Sequence, residues 1–250
     1  SSDICFTWNG TTSGARVPDS NWIEKNKERI VLCDATSAVF SMQMDWPKLD
    51  VVTYSWQKVL GSEAAHGMLI LSPRAVERLE SYTPPWPVPK VFRLADNQKF
   101  IKGIFSGATI NTPSMISVED VLNSLNWSIE VGGINELVKI SENNLKIVSD
   151  WIESNENFEF LAKDPETRSC TSICLRIKES VLEKYETDKL KEKMNNMFSF
   201  LEENQIAYDI NSYRDAPIGI RIWGGATVNE KDINILLDWL EWCFIKFIRE

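Results

Sequence analysis

Short apolar runs alternate with polar, glycine-bearing stretches through the first half of the chain. Residues 4–8, 30–33, 51–54 and 68–71 are each rich in Ile, Val, Leu or aromatic side chains. Their apolarity is continuous rather than alternating, the pattern of strands covered on both faces. The segments between them read as helix or loop, so an α/β layer arrangement is predicted. Ser72-Pro73 ahead of residues 74–79 is a helix start, with Ser as N-cap and Pro at the first helical position. The proline-rich segment 83–89 must be extended, and 90–107 reads as loop with short pieces of structure. The second half has helical periodicity. Met115, Val118, Val121, Leu122, Leu125 and Ile129 predict a helix over 114–130, ended by Gly132-Gly133. Leu137, Ile140, Leu145, Val148 and Ile152 predict another over 134–153. A strand (170–177), a helix (188–203), two strands (208–210 and 219–223) and a closing helix (230–247) complete an α+β unit. The boundary falls at Gly132-Gly133, giving units 1–132 and 133–250.

Composition narrows the classes. The 250 residues include 27 Lys+Arg and 36 Asp+Glu, a formal charge of −9, with 43% hydrophobic and 25% charged residues. That is a globular composition, and its acidity argues against non-specific nucleic-acid binding. No apolar run long enough for a membrane span and no signal-like segment is present. Five scattered cysteines (Cys5, Cys33, Cys170, Cys174, Cys243) read as reduced, buried thiols of a cytoplasmic protein. Cys170 and Cys174 lie on one predicted strand, too far apart for one metal, and with a single His no metal site is expected. The chain opens Ser1-Ser2-Asp3 directly into a strand-like stretch. That reads either as a cleaved tag or as a start in the middle of a domain.

Two residues at predicted strand ends carry candidate chemistry. Lys58, in the polar turn after 51–54, is a solvated cation or a Schiff-base lysine. Asp34, after the apolar 30–33, is a helix cap or a charge partner for a ligand. Together, 24 residues apart on consecutive strands, they are the pair that pyridoxal 5'-phosphate (PLP) requires. One forms an imine and the other pairs with the protonated ring nitrogen.

Asn9-Gly10-Thr11-Thr12-Ser13-Gly14, Cys33-Asp34-Ala35-Thr36-Ser37-Ala38, the segment from Tyr54 through Lys58 to Gly61, and Ile110-Asn111-Thr112-Pro113 come in fitting order. In them the chain resembles the phosphoserine aminotransferase family, class V members of the PLP-dependent aminotransferases, and the likeness extends to Gly219-Ile220-Arg221-Ile222. The resemblance implies the α/β fold of aspartate-aminotransferase-like PLP-dependent transferases (fold type I). On it, the chain holds part of a large domain with a mainly parallel sheet and a small C-terminal α+β domain. It implies transamination between glutamate and 3-phosphohydroxypyruvate, giving phosphoserine and 2-oxoglutarate, in serine biosynthesis.

It also implies residue roles. Lys58 would bind PLP covalently, Asp34 its ring nitrogen, Thr11 its phenolic oxygen and Gln57 its phosphate. Asn111 and Thr112 would reach the phosphate held by a second protomer, making the active unit a homodimer. Arg221 would clamp the substrate carboxylate, and Arg214, His66 and Arg16 are candidates around the substrate phosphate. Gln57 precedes the lysine where cysteine desulfurases carry His. The family carries an N-terminal portion ahead of the position of Ser1, with the phosphate loop and the stacking aromatic. By this reading 4–8 has an exposed apolar edge, and the chain is expected to be a fragment. Another class V aminotransferase, such as alanine–glyoxylate, and a non-catalytic assembly module remain the alternatives.

Overall fold

In the computed structural model, which describes residues 2–24 and 28–249, the predicted apolar runs become strands. β1 (Ile4–Thr7) leads into a two-residue ladder of β2 (Asn9–Gly10) with β3 (Ala15–Arg16). β4 (Val31–Asp34), β5 (Val51–Ser55) and β6 (Gly67–Leu71) follow. The longer strands hydrogen-bond in the order β1-β4-β5-β6, the first two pairings parallel and the last antiparallel. β1 and β6 are its edge strands among the described residues.

One face of this sheet turns Val31, Cys33 and Val52 into the core. Cys5, Asp34 and Thr53 on the other face are exposed. The expectation of cover on both faces therefore fails for the described residues, and with it the burial of Cys5. An apolar run reports that a face can be covered, not that a packing partner lies over it.

Buried Asp50 organises the start of this sheet. It accepts hydrogen bonds from the Val31 amide (3.0 Å) and the Ser72 hydroxyl (2.7 Å). Ser72 in turn caps α1 (Pro73–Ser81) by accepting from the Ala75 amide at 3.2 Å. A cap of this kind is worth about 1 kcal/mol. Beyond the extended segment 83–89, β7 (Ala95–Asp96) and β8 (Lys99–Phe100) form a tight hairpin. Asn97 and Gln98 both have positive φ at its turn, as a twist-matched two-residue loop requires.

α2 (Met115–Glu130) is capped by Ser114, so Thr112 and Pro113 precede the helix rather than begin it. Gly132 and Gly133, with φ of 116° and 74°, make the reversal into α3 (Ile134–Ser154). Then come β9 (Phe158–Phe160), β10 (Ser172–Ile177), α4 (Glu179–Leu182), α5 (Thr187–Glu203), β11 (Gly219–Trp223) and α6 (Glu230–Phe244). The last helix runs on as a π-helical turn, Ile245–Arg249.

The second sheet is antiparallel in the order β11-β10-β9. Its third strand is Phe158–Phe160, not the predicted 208–210, beside which Asn211 forms an isolated bridge to Ile220. Asp209 sits at φ 49°, which breaks an extended run, whereas Phe-Glu-Phe is too short to stand out between polar neighbours. Ile173, Leu190, Met197, Leu201, Leu240 and Phe244 pack against this sheet, and one apolar cluster runs from there through Val148 to Cys33 and Val52 of the first sheet. The rings of Phe158 and Phe244 meet edge to face at 5.0 Å.

Burial raises the thiol pKa of Cys33 and of Cys170 from 9.0 to about 12, and that of Cys243 to about 11. A thiol that ionises later in the folded state contributes its full stability below its ordinary value and loses it as pH rises toward the folded value. The urea midpoint is therefore expected to fall progressively as the pH is raised from about 9 toward 12. At neutral pH a thiol reagent is expected to modify Cys5 at once and the four buried cysteines only on unfolding, read by mass spectrometry.

Candidate active site

Parallel pairing brings the carboxyl ends of β1, β4 and β5 to one edge: Thr7 lies opposite Asp34, and Asp34 opposite Thr53. Loops leaving such an edge are where open α/β sheets bind ligands. The Asp34 carboxylate accepts from the Thr36 amide (3.0 Å) and hydroxyl (2.7 Å), both through Oδ1. Oδ2 has no hydrogen-bond partner among the described residues, so one carboxylate oxygen is free at an exposed position. The turn after β5 is anchored by buried Val59 and Leu60, and Lys58 ahead of them is half-buried. Its Nζ lies 6.0 Å from the Trp223 ring centre and makes no hydrogen bond or ion pair with the described residues. Gln57 Oε1 accepts from the Ser55 hydroxyl.

The Thr11 loop is held from the other side by β10. Asn9 Nδ2 donates to Ser37 Oγ (2.8 Å) and Thr171 Oγ1 (3.1 Å), and Thr171 Oγ1 donates to the Ser37 carbonyl (2.9 Å). The Thr11 carbonyl accepts from Ser172 Oγ at 2.8 Å and Cys174 Sγ at 3.4 Å. Burial pushes the Cys174 thiol pKa up, against smaller downward pulls from Ser172 and Arg221. The close approach needs glycine at position 14, where φ is 63° and an added Cβ would stand 2.6 Å from Cys174 Cβ. The side-chain hydroxyl of Thr11 is left without a protein partner among the described residues.

Cys174 is in register with Arg221 on β11, so the same seam places the guanidinium. Arg221 Nη2 donates to Asp209 Oδ2 (2.8 Å) and to its carbonyl (3.3 Å), and the guanidinium lies 4.5 Å from the Tyr213 ring centre. Arg221 and Trp223, two apart on a strand, share a face, and Trp223 is the ring that neighbours Lys58. Amine, guanidinium and the Thr11 loop are thus brought together. Asp34 is placed by the strand register at the same sheet edge, opposite Thr7 and Thr53.

The other expected residues are placed differently. The Arg16 guanidinium is committed to Glu142 of α3 and to Cys170 Sγ (3.6 Å), an ion pair that joins the first loop to the helix. The His66 ring lies tilted against that of Trp56, centroids 4.8 Å apart, with a buried Nε2 that has no partner among the described residues. Asn111, Thr112 and Arg214 are exposed and without protein partners among the described residues, Arg214 next in the chain to the Tyr213 that covers Arg221. Trp223 and Asp209 were not foreseen. The first could have been read from its i, i+2 spacing to Arg221; nothing local marks the second. Cavities of about 220 Å³ beside Phe40, Met44 and Tyr54, and of about 10 Å³ beside Thr12, Tyr213 and Arg221, do not include Asp34 or Lys58. No helix among the described residues is long and apolar enough to cross a membrane.

Residues 3–206 match the family described as aminotransferase class-V. A phosphoserine aminotransferase of Methanosarcina barkeri is 51% identical over 242 residues, covering 97% of this chain and 63% of that relative. The chain thus spans slightly less than two-thirds of the curated relative's length. A phosphoserine aminotransferase from Cytophaga hutchinsonii superposes with a TM-score of 0.76 at 22% identity, over 96% of this chain and 63% of that one. A structure described as PLP-bound phosphoserine aminotransferase from Trichomonas vaginalis gives 0.71 at 15%, over 96% and 60%. Likeness at these identities shows the fold, which is the α/β fold type I, with a mainly parallel sheet belonging to part of the large domain.

Gly14→Ala is expected to lower stability by about 2 kcal/mol or more, since strain at positive φ and a clash against β10 add. Glu142→Ala is expected to cost about 1–3 kcal/mol by leaving the mostly buried Arg16 unpaired. Urea unfolding measures both.

Proposed function

This chain belongs to the class-V aminotransferase family, and we propose that the whole protein uses PLP to move an amino group between glutamate and 3-phosphohydroxypyruvate, yielding phosphoserine and 2-oxoglutarate. The single observation that carries the reading is the convergence of an unpartnered, half-buried Lys58 amine with Arg221 across Trp223. The substrate choice draws on the 51% identity to the Methanosarcina barkeri enzyme.

The donor set fits the cofactor: a free amine, a carboxylate with one free oxygen, and an unpartnered hydroxyl on the Thr11 loop. When bound, PLP supplies a carbonyl for imine formation and a ring that takes up electrons. Lys58 Nζ would hold it covalently, then carry the proton taken from the substrate Cα. Asp34 would pair with the ring nitrogen through its free oxygen and keep that nitrogen protonated. Thr11 would donate to the phenolic oxygen and Gln57 to the phosphate. Arg221 would bind the substrate carboxylate in a fork that ammonium cannot reproduce. Arg214 and His66 are the groups left for the substrate phosphate. Asn111 and Thr112, exposed as they are, would serve the second protomer of a homodimer. In this division residues 1–132 form the cofactor-binding unit and 133–250 the unit that carries the clamp. A cytoplasmic setting follows from the unpaired cysteines.

Borohydride reduction of the PLP-loaded whole protein, followed by peptide mapping, is expected to label Lys58, and a label elsewhere would overturn the assignment. Lys58→Ala is expected to abolish the label and to lower turnover of glutamate with 3-phosphohydroxypyruvate about 1,000-fold or more. Turnover of the parent with glyoxylate but not with 3-phosphohydroxypyruvate would instead favour an alanine–glyoxylate type of enzyme.

A further inference from the structure

We infer that Asp209 is a displaceable latch: a carboxylate of the chain itself that occupies Arg221 and must yield to the substrate carboxylate, thereby setting the affinity for substrate. The inference rests on the reading of Arg221 as the carboxylate clamp. The pair is lopsided. The Arg221 side chain is 11% exposed and that of Asp209 86% exposed. Swinging Asp209 into water costs the aspartate little hydration, whereas the guanidinium is left mostly buried and in need of another anion.

The contact is also incomplete. Asp209 engages Nη2 alone, through Oδ2 and its carbonyl, while Arg221 Nε is buried and has no acceptor among the described residues. A guanidinium binds a carboxylate best through two parallel N–H donors. Asp209 therefore under-uses a site that a free carboxylate can fill.

The surroundings keep the site shut but leave a cheap way to open it. Tyr213 covers the guanidinium at 4.5 Å, and the cavity beside them is only about 10 Å³, room for about one water. The segment itself is pinned by buried Ile210, whose carbonyl accepts from the Arg221 amide at 2.8 Å. Asp209, at φ 49°, projects from this pinned backbone, so its side chain can rotate away while Ile210 stays paired with β11. An internal competitor of this kind weakens the apparent affinity for an external carboxylate by the fraction of time it holds the site. It would also reject ligands too weakly charged to displace it.

The test is calorimetric titration of the PLP-loaded whole protein with glutarate, a dicarboxylate with neither an amino nor an oxo group. Asp209→Asn is expected to bind glutarate roughly 5-fold more tightly, the size of one exposed charge pair. In steady state it is expected to lower KM for glutamate with kcat nearly unchanged, a split that a merely structural residue would not produce. Asp209→Glu, which keeps the charge, is expected to stay within about 2-fold of the parent. Unchanged or weaker glutarate binding by Asp209→Asn, or equal tightening by Asp209→Glu, overturns the latch. Arg221→Gln separates the two readings. If it abolishes glutarate binding, the clamp stands whatever Asp209 does; if binding persists, the clamp and the latch fall together.

Discussion

Asn9, Ser37 and Thr171 meet in the interior, where the Asn9 amide nitrogen and the Thr171 hydroxyl both find acceptors, while Asn9 Oδ1 has none among the described residues. Unsatisfied buried donors are costly, so the loop after β1 can dock on β10 in one position only. Gly14 sharpens the constraint by permitting backbone contact that any side chain would prevent. Through that seam the Thr11 carbonyl reaches Ser172 and Cys174, and Cys174 sets the register of Arg221. Residues about 160 to 210 positions apart along the chain thus share one frame. The Thr11 loop and the Arg221 guanidinium cannot move independently while these bonds hold.

Electrostatics at the site works against the molecule as a whole. A protein of net charge −9 repels anionic ligands at long range, so selection must act within a Debye length of a few guanidinium and ammonium groups. Arg16 is already neutralised by Glu142, which leaves Lys58, Arg221 and Arg214 as the cations around the site. Two of these are partly desolvated, one by an indole and one by a phenol ring, and each contact is stronger there than in open water.

Much of the fold was legible because it is written in local signals. Ser72-Pro73, the Gly132-Gly133 reversal and the periodicity of residues 134–153 are short-range features, and each structural boundary falls within a few residues of its expectation. Phe158–Phe160 was missed because three residues carry too little pattern, and 208–210 was over-read because a single left-handed aspartate undoes an apolar run. Asp34 and Lys58 stood out as polar residues at the ends of apolar strands. Arg16 was indistinguishable in sequence from a ligand-binding cation, since its partner Glu142 lies 126 positions away.

The sequence by itself determined the long helices and the longer strands, with their approximate starts, and that one lysine and one acid leave neighbouring parallel strands at the same edge. Those outcomes depend on backbone preference and on the period of apolar side chains, both readable over a few residues. Only the tertiary structure decided which faces are covered, that Arg16 is spent on an ion pair, that Trp223 walls Lys58, and that Asp209 stands on Arg221. Each of these is a contact between segments distant in the chain, set by how two sheets dock, and no local propensity encodes it.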